Sequence, residues 1–337
     1  MLKIAARDGV LRRIVEAASA APSIHNTQPW RFTVAADDLL EVRADPDRAL
    51  WVADPRARAL YLSCGAALFN VRAAIRMLGL SPLVWPLPHP RFSPMVIAAV
   101  QAEPGRPPSF AEREIYEAIW HRHTNRAPFT AEPVPESVQV ALEQAASFEF
   151  ASLRRLTGRE AAQVLDLASQ ASAELAGDIG HQVELQSWIA TGSRDDGIPA
   201  EALAATPSQE PAPVRSRDLA AAVPSVWRPT ESYEQAPQLA VLTTARDEPT
   251  DWLRAGQALQ RVLLTATVRG LSASFLYQPI ELRDMHGAAA PQWPWQENPQ
   301  MVIRLGYGPP TATSTPRRRL DDVLVRTAGE QSLPRTP

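Results

Sequence analysis

Two stretches of this 337-residue chain, 58–81 and 251–274, can be laid on each other, and that likeness constrains the fold more than any other feature. Gly65 falls on Gly256, each followed two residues later by Ala-Leu, and Gly79-Leu80-Ser81 falls on Gly270-Leu271-Ser272. Both stretches read as long helices that are apolar on most sides, and a helix of that kind must be buried. Each ends at a glycine, the residue that most easily adopts the left-handed turn closing a helix. Two copies so far apart do not make a solenoid. Chance similarity of two apolar helices is the plain alternative. The matched terminators and flanking strands favour a diverged duplication, with a first half over 1–105 and a second over 112–337.

The remaining pattern fills in around these helices. Residues 8–20 place Val10, Leu11, Ile14, Val15 and Ala18 at helical spacing, and Ala21-Pro22-Ser23 stops the run. Strands are expected at 30–34, 39–43, 50–52 and 95–100, followed by a proline-rich linker at 103–108. The second half predicts helices at 112–122, 136–147 and 158–176, with strands near 149–156, 239–243 and 301–306. Residues 190–235 are rich in Pro, Ser, Asp and Ala, and loops of that length inside a compact chain are functional covers or disordered.

Composition excludes several classes. With 45% hydrophobic residues the chain can bury a large core. A net charge of −3 gives no basic footprint for nucleic acid. One cysteine, Cys64, leaves no intrachain disulfide and no multi-cysteine metal site, and its place on an apolar helix suits packing more than nucleophilic attack. No window approaches the ~18 continuous apolar residues of a membrane span. The first residues lack the apolar stretch of a signal peptide, and Arg12-Arg13 is followed by none either. A cytoplasmic protein is the expectation.

Three short segments carry chemistry. Pro22-Ser23-Ile24-His25-Asn26, leading to Thr27-Gln28-Pro29-Trp30, packs hydroxyls and amides into a turn that could meet a polyhydroxyl or phosphate ligand. Arg122-His123-Thr124-Asn125-Arg126 sets two arginines four apart around a hydroxyl, which suits an anion together with a heterocycle bearing carbonyl oxygens. Arg317-Arg318-Arg319 is a compact cationic cluster that by itself reads as a solvated tail. His25 and His123 are more simply hydrogen-bonded turn residues than catalysts. With His121 they show no metal-ligand spacing, so no metal is expected. Ser23 and His25, two apart on a turn, are poorly placed for a triad. No phosphate-binding loop or dinucleotide fingerprint appears. Trp293 and Trp295 could pack beneath the tail or wall a cleft.

Taken together, these segments resemble the nitroreductase-fold flavoproteins. APSIHNTQPW is similar to the family's APSxxNxQPW turn, and RHTNR to its RRSxR motif. GLSASFLYQPIE resembles the segment whose backbone passes the flavin ring, and RLGYG with PRRRLDDVL resembles the closing strand and terminal basic pair. The likeness implies an α+β fold and FMN as cofactor. Ordinary members are homodimers of shorter chains with two equivalent sites, whereas here the first half has the APSIHN turn without RRSxR and the second has the reverse. That pattern resembles the single-chain, dormancy-associated Acg-like branch: an internally duplicated pseudo-dimer keeping one site, with 190–235 as a candidate lid.

The resemblance also implies roles. Arg122, Arg317 and Arg318 would neutralise the FMN phosphate, and Arg126 would face the flavin edge where negative charge develops on reduction. Pro22, Ser23, Ile24, His25 and Asn26, from the opposite half, would hold the phosphate or ribityl chain, beside His123, Thr124 and Asn125. The backbone at Leu276, Tyr277 and Gln278 would pass flavin N5. The function implied is ping-pong hydride transfer from NAD(P)H through FMN to a small aromatic, quinone-like or otherwise conjugated acceptor, the cofactor carrying the chemistry. A storage protein holding FMN under its lid is the alternative. Because the two halves already form the family's interface, a monomer is expected.

Overall fold

The computed structural model describes residues 8–35, 39–190, 192–208, 227–310 and 314–325. The first helix, α1 (Asp8–Ser19), buries Leu11, Ile14, Val15 and Ala18, the face its spacing predicts. A turn leads into β1 (Trp30–Val34) and β2 (Leu40–Ala44), then α2 (Arg58–Met77), β3 (Leu80–Pro86) and β4 (Val96–Pro104). The chain continues through α3 (Phe110–His121), α4 (Glu136–Ser147), β5 (Ser152–Leu156), α5 (Gly158–Gly177) and α6 (Ile179–Ser187). Four two-residue strands follow: β6 (Ile189–Ala190), β7 (Ile198–Pro199), β8 (Thr206–Pro207) and β9 (Thr230–Glu231). The last elements are β10 (Gln238–Thr244), α7 (Pro249–Val268), β11 (Ser272–Leu276), α8 (Gln278–His286), β12 (Asn298–Gly306), α9 (Leu320–Val323) and β13 (Leu324–Val325).

Two sheets flank the paired central helices. One runs in the order β13-β1-β2-β4-β3, the other β11-β12-β10-β5. The final strand β13 pairs in parallel with β1, Leu324 opposite Phe32, so the end of the chain completes the sheet of the beginning. This crossover carries Arg317 and Arg318 to the turn after α1.

Between the sheets α2 and α7 touch backbone to backbone. A Cβ built on Gly65 would lie 2.9 Å from the Gly256 Cα, and one on Gly256 would lie 2.9 Å from the Gly65 Cα. Both helices end at a glycine of φ +75°, Gly79 and Gly270. The cores interleave across this contact: Leu253 and Leu264 of α7 belong to the cluster around α1 and α2, and Leu62 of α2 belongs to the cluster around α7. One buried polar chain ties the three helices, with Gln260 Nε2 donating to Asn70 Oδ1 at 2.8 Å and Asn70 Nδ2 donating to the Ala17 carbonyl at 2.8 Å.

The structure corrects several boundaries. Residues 50–52 are not a strand; they form a turn that delivers Asp54 to the start of α2, where its carboxylate accepts from the Ala59 and Leu60 amides at 3.0 and 2.9 Å. Satisfying those orphan N–H groups outweighs the strand propensity of Leu-Trp-Val. The expected linker at 103–108 begins inside β4, whose Pro104 lies opposite Leu80 of β3. Pro82 and Pro86 concealed β3, which sits at the sheet edge where a missing N–H costs no ladder bond. The strand expected from 149 starts at Ser152. Strand β11 and helices α6 and α8 had no counterpart in the sequence pattern, being short. No helix among the described residues is long and apolar enough to cross a membrane.

The glycine contact makes a test. Gly65→Ala should lower unfolding free energy by about 1–3 kcal/mol or more through overpacking against backbone that cannot yield. Gly177→Ala, where an added methyl meets nothing within 4 Å, should be neutral. Urea titration of both variants beside the parent chain checks the difference.

Candidate functional site

The α1–β1 connection is strained. His25, Asn26 and Gln28 have φ of 48°, 56° and 49°, left-handed values that non-glycine residues adopt at a cost of order 1–3 kcal/mol each. Side chains hold the turn there: Ser23 Oγ accepts from the Gln28 amide at 2.9 Å, and Asn26 Nδ2 donates to the Gly197 and Pro316 carbonyls at 2.9 and 3.0 Å. Gln28 adds bonds to the Asp195 carbonyl at 2.9 Å and from the Arg318 amide at 2.8 Å. The turn is thus fixed by the segment after β6 and by the C-terminal tail, both remote in sequence.

Beside this turn opens a cavity between the two halves. Pro22, Ser23, Ile24 and His25 line one side, with Ala59, Leu62, Ser63 and Ala66 of α2. Thr124 and Arg126 line it from the segment after α3, and Leu259, Ser274, Phe275, Tyr277 and Met301 from the second half. Ile198 of β7 borders it as well. The α2 residues lie at helical spacing and are mostly small, which makes a shallow apolar wall. Their spacing is legible in the sequence, but it reads as core until the opposite wall is known.

A second hollow adjoins the first. Ser19, Arg122, His123, Arg317 and Arg318 line it with Glu16 and Trp120. Arg122 is buried, and its guanidinium makes no hydrogen bond or ion pair among the described residues. Burial, and then the nearby Arg317, push its pKa down to about 9. Arg317 is held down to about 10 by burial; it donates to Asn26 Oδ1 at 3.2 Å, Thr315 Oγ1 at 2.7 Å and the Ala20 carbonyl at 3.2 Å, and none of these partners is an anion. Ser19 Oγ is buried and unpartnered, as are both arginine Nε atoms. Burial and then the two arginines also lower the pKa of His123, which favours the neutral ring. Among the described residues these two adjacent buried cations have no counter-charge, an arrangement whose electrostatics favour an anion. Ser19, last in α1, gave no signal in the sequence.

The other expected site residues divide. Pro22, Ser23, Ile24, His25, Thr124, Arg126 and Tyr277 share the first cavity, and Arg122, His123, Arg317 and Arg318 share the second. Arg318 is committed elsewhere, pairing with Asp45 Oδ2 at 3.2 Å. Asn26 is spent on the turn. Asn125 lines neither cavity; its Nδ2 reaches Ser272 Oγ and the Pro309 carbonyl, and its Oδ1 accepts from the Ala127 amide. Leu276 is buried at the end of β11, and Gln278 Nε2 donates to Ser172 Oγ at 3.3 Å. Trp293 and Trp295 stack edge to face at 5.2 Å beside β5 and α5, away from the cavity. Cys64 is buried, with its thiol pKa pushed up by burial.

Part of the 190–235 excursion reaches this site. Gly197 and Asp195 bond the turn as above, Arg126 Nη1 donates to the Ala202 carbonyl at 3.2 Å, and Tyr233 Oη donates to the Arg126 carbonyl at 3.1 Å. Arg304, buried on β12, grips Glu234 through Nε and Nη2 at 2.5 and 2.7 Å and stacks on Phe129. Residues 191 and 209–226 of the expected lid lie outside the described residues.

Comparison with known proteins agrees on one family. The pattern described as "Nitroreductase family" matches residues 7–74. The Mycobacterium tuberculosis protein named "Putative NAD(P)H nitroreductase Rv3131" is 32% identical over 320 residues, covering 93% of this chain and 90% of that protein. The protein of the same organism named "Putative NAD(P)H nitroreductase acg" is 28% identical over 318 residues, covering 94% and 95%. Among solved structures, the FMN-dependent nitroreductase NfnB of Mycobacterium smegmatis, crystallised with NADPH, aligns over 64% of this chain and 98% of its own at 15% identity and a TM-score of 0.38. The relatives that match from end to end place this chain in the nitroreductase family.

Proposed function

We propose that this chain is an FMN-dependent oxidoreductase that takes hydride from NAD(P)H and passes reducing equivalents to a small conjugated acceptor. The observation that carries the reading is the pair of buried arginines that no anion compensates among the described residues. Arg122 and Arg317, with the orphaned Ser19 hydroxyl, supply the donors and positive charge a phosphate monoester needs, and Thr124 and Arg126, just along the chain from Arg122, line the largely apolar cavity that would take an aromatic ring. The residues therefore fit FMN. When bound, FMN supplies reversible two-electron hydride chemistry that no side chain provides.

The chain's own residues bind and bias. Arg122 and Arg317 would hold the phosphate, Ser23 would donate its free hydroxyl proton to the ribityl chain, and Arg126 would place a fixed cation in the ring cavity. A cation there favours the reduced, more negative ligand and raises its potential. Ile24, Leu62, Leu259 and Met301, which line the same cavity, would exclude water from around a bound ring.

We read the chain as a diverged duplication with one site. The glycine pairs support this, as does a residual likeness between the α1–β1 and α4–β5 turns. Gln28 and Phe150, each two residues before its strand, have φ of 49° and 60°. The second turn is shorter and carries no counterpart of Ser23 to Asn26. The halves cover each other, so we propose a monomer. The contacts of residues 195–202 with the turn and Arg126 favour a second reading, storage of FMN beneath a lid formed by 190–235.

Five measurements separate these ideas. The apo chain should melt a few degrees higher with 10 mM phosphate. Arg122→Met should raise the apo melting temperature and abolish that effect, because removing an unpaired buried charge relieves its desolvation. Arg122→Met should also weaken FMN affinity about 100-fold while leaving riboflavin affinity unchanged; equal loss of both would refute the phosphate site. For the FMN-loaded chain, anaerobic NADPH or NADH should bleach the visible spectrum within seconds. Bleaching by dithionite alone, with FMN-dependent protection of 190–235 from protease, would instead establish storage. Arg126→Ala should lower the flavin potential, and an unchanged potential would misplace that residue.

A further inference from the structure

The second hollow contains one group whose charge is not fixed near neutral pH. Its ionisable lining is Glu16, Arg122, His123, Arg317 and Arg318. Guanidinium groups and carboxylates carry settled charges at pH 7, whereas an imidazole changes charge close to that pH. His123 directly follows Arg122 at the end of α3, is half-buried, and makes no hydrogen bond or ion pair among the described residues.

Its surroundings are cationic from every side that packs on it. Arg122 is buried beside it, and Arg317 enters from the C-terminal tail with its Nε enclosed. Arg318 of the same tail is already paired with Asp45 at 3.2 Å. From α1 comes Glu16, the carboxylate of this lining, which is exposed and so screened by water. From α3 comes His121, also exposed, with its Nδ1 3.0 Å from the Glu117 carbonyl. Burial first, and then Arg122, Arg317 and His121, push the His123 pKa below its usual range, so the ring is neutral at pH 7.

A phosphate monoester entering the hollow reverses that field. It brings two negative charges at pH 7, because its second ionisation lies at about 6. The two arginines are then balanced, and the anion itself favours an imidazolium nearby. We propose that His123 takes up a proton from solvent when the flavin phosphate enters this hollow, so that the ring becomes a third cation there and flavin loading tightens as the pH falls. This rests on the FMN reading above. Bound chain holds more protons than free chain between the two ring titrations, so affinity is lost as the pH rises through that interval. The ligand's own second ionisation works the other way, adding charge as the pH rises through about 6. Arg122 and Arg317, pushed down to about 9 and about 10, keep their protons below pH 8. The linings of the two cavities share no residue, which makes riboflavin, lacking the phosphate, the control.

The test is the affinity of the apo chain for FMN and for riboflavin, by fluorescence titration at about pH 6.5 and about pH 8. FMN should bind at least about threefold more tightly at the lower pH, one unit of pKa displacement being worth tenfold. Riboflavin affinity should be the same at both. His123→Gln should bind FMN weakly at both, and His123→Arg, whose charge is permanent, tightly at both. A second measurement needs no variant: FMN added to the weakly buffered parent chain at pH 7 should draw protons from solution, and riboflavin should draw none. A flat FMN affinity in the parent, an equal slope for riboflavin, an unchanged slope in His123→Gln, or no proton uptake with FMN would each overturn the proposal. FMN bound no more tightly than riboflavin at either pH would instead refute the phosphate site, and this proposal with it.

Discussion

The contact of Gly65 with Gly256 sets the geometry on which the molecule depends. Two helices meeting without side chains between them come closer than the 8–10 Å typical of packed helices. That approach pulls the sheets of the two halves toward one another and lets each core borrow residues from the other, Leu62 in one direction and Leu253 and Leu264 in the other. The first cavity lies beside this crossing, walled by Leu62, Ser63 and Ala66 from α2 and Leu259 from α7. Bulk at either glycine would widen the space between the halves, and the site with it.

Charge then fastens what packing brings together. Arg58, the first residue of α2 and fully buried, bonds Asp284 of α8 at 2.6 Å, pairs with Asp247 just before α7, and bonds Gln300 of β12 at 2.7 Å. Its ring partner is Trp252, 4.9 Å away. A buried guanidinium is tolerated because its donors meet carboxylates and an amide in good geometry. The same rule makes Arg122 conspicuous. One arginine is surrounded by acceptors and serves the fold, whereas the other is also buried and, among the described residues, has nothing to balance it, so the fold bears a cost that a bound anion would offset.

The strained turn is explained in the same way. Left-handed backbone at His25, Asn26 and Gln28 persists because Gly197, Asp195, Pro316 and Arg318 all bond to it. Those partners come from the excursion and from the tail that β13 carries across to the first sheet. The cavity wall therefore exists only when three remote pieces of chain have assembled.

Much was legible in the order of residues. The helical spacing of 8–20, the two long apolar helices with their glycine terminators, and the clustering of APSIHN, RHTNR and PRRR follow from local propensity and periodicity, which a sequence carries directly. What the sequence did not carry was compensation. Arg317 and Arg318 look alike on paper; Asp45, 273 positions away, captures Arg318 and leaves Arg317 among neutral partners. Asn26 and Asn125 read as ligands from their residue type, and the sequence does not show that their amides also brace backbone carbonyls that only folding brings near. Edge strand β3 stayed hidden since its prolines forbid a central strand and nothing local declares an edge. Local sequence thus determined which elements form and which residue types gather at the turn. Tertiary structure decided which polar groups keep their donors free, since that depends on partners far along the chain.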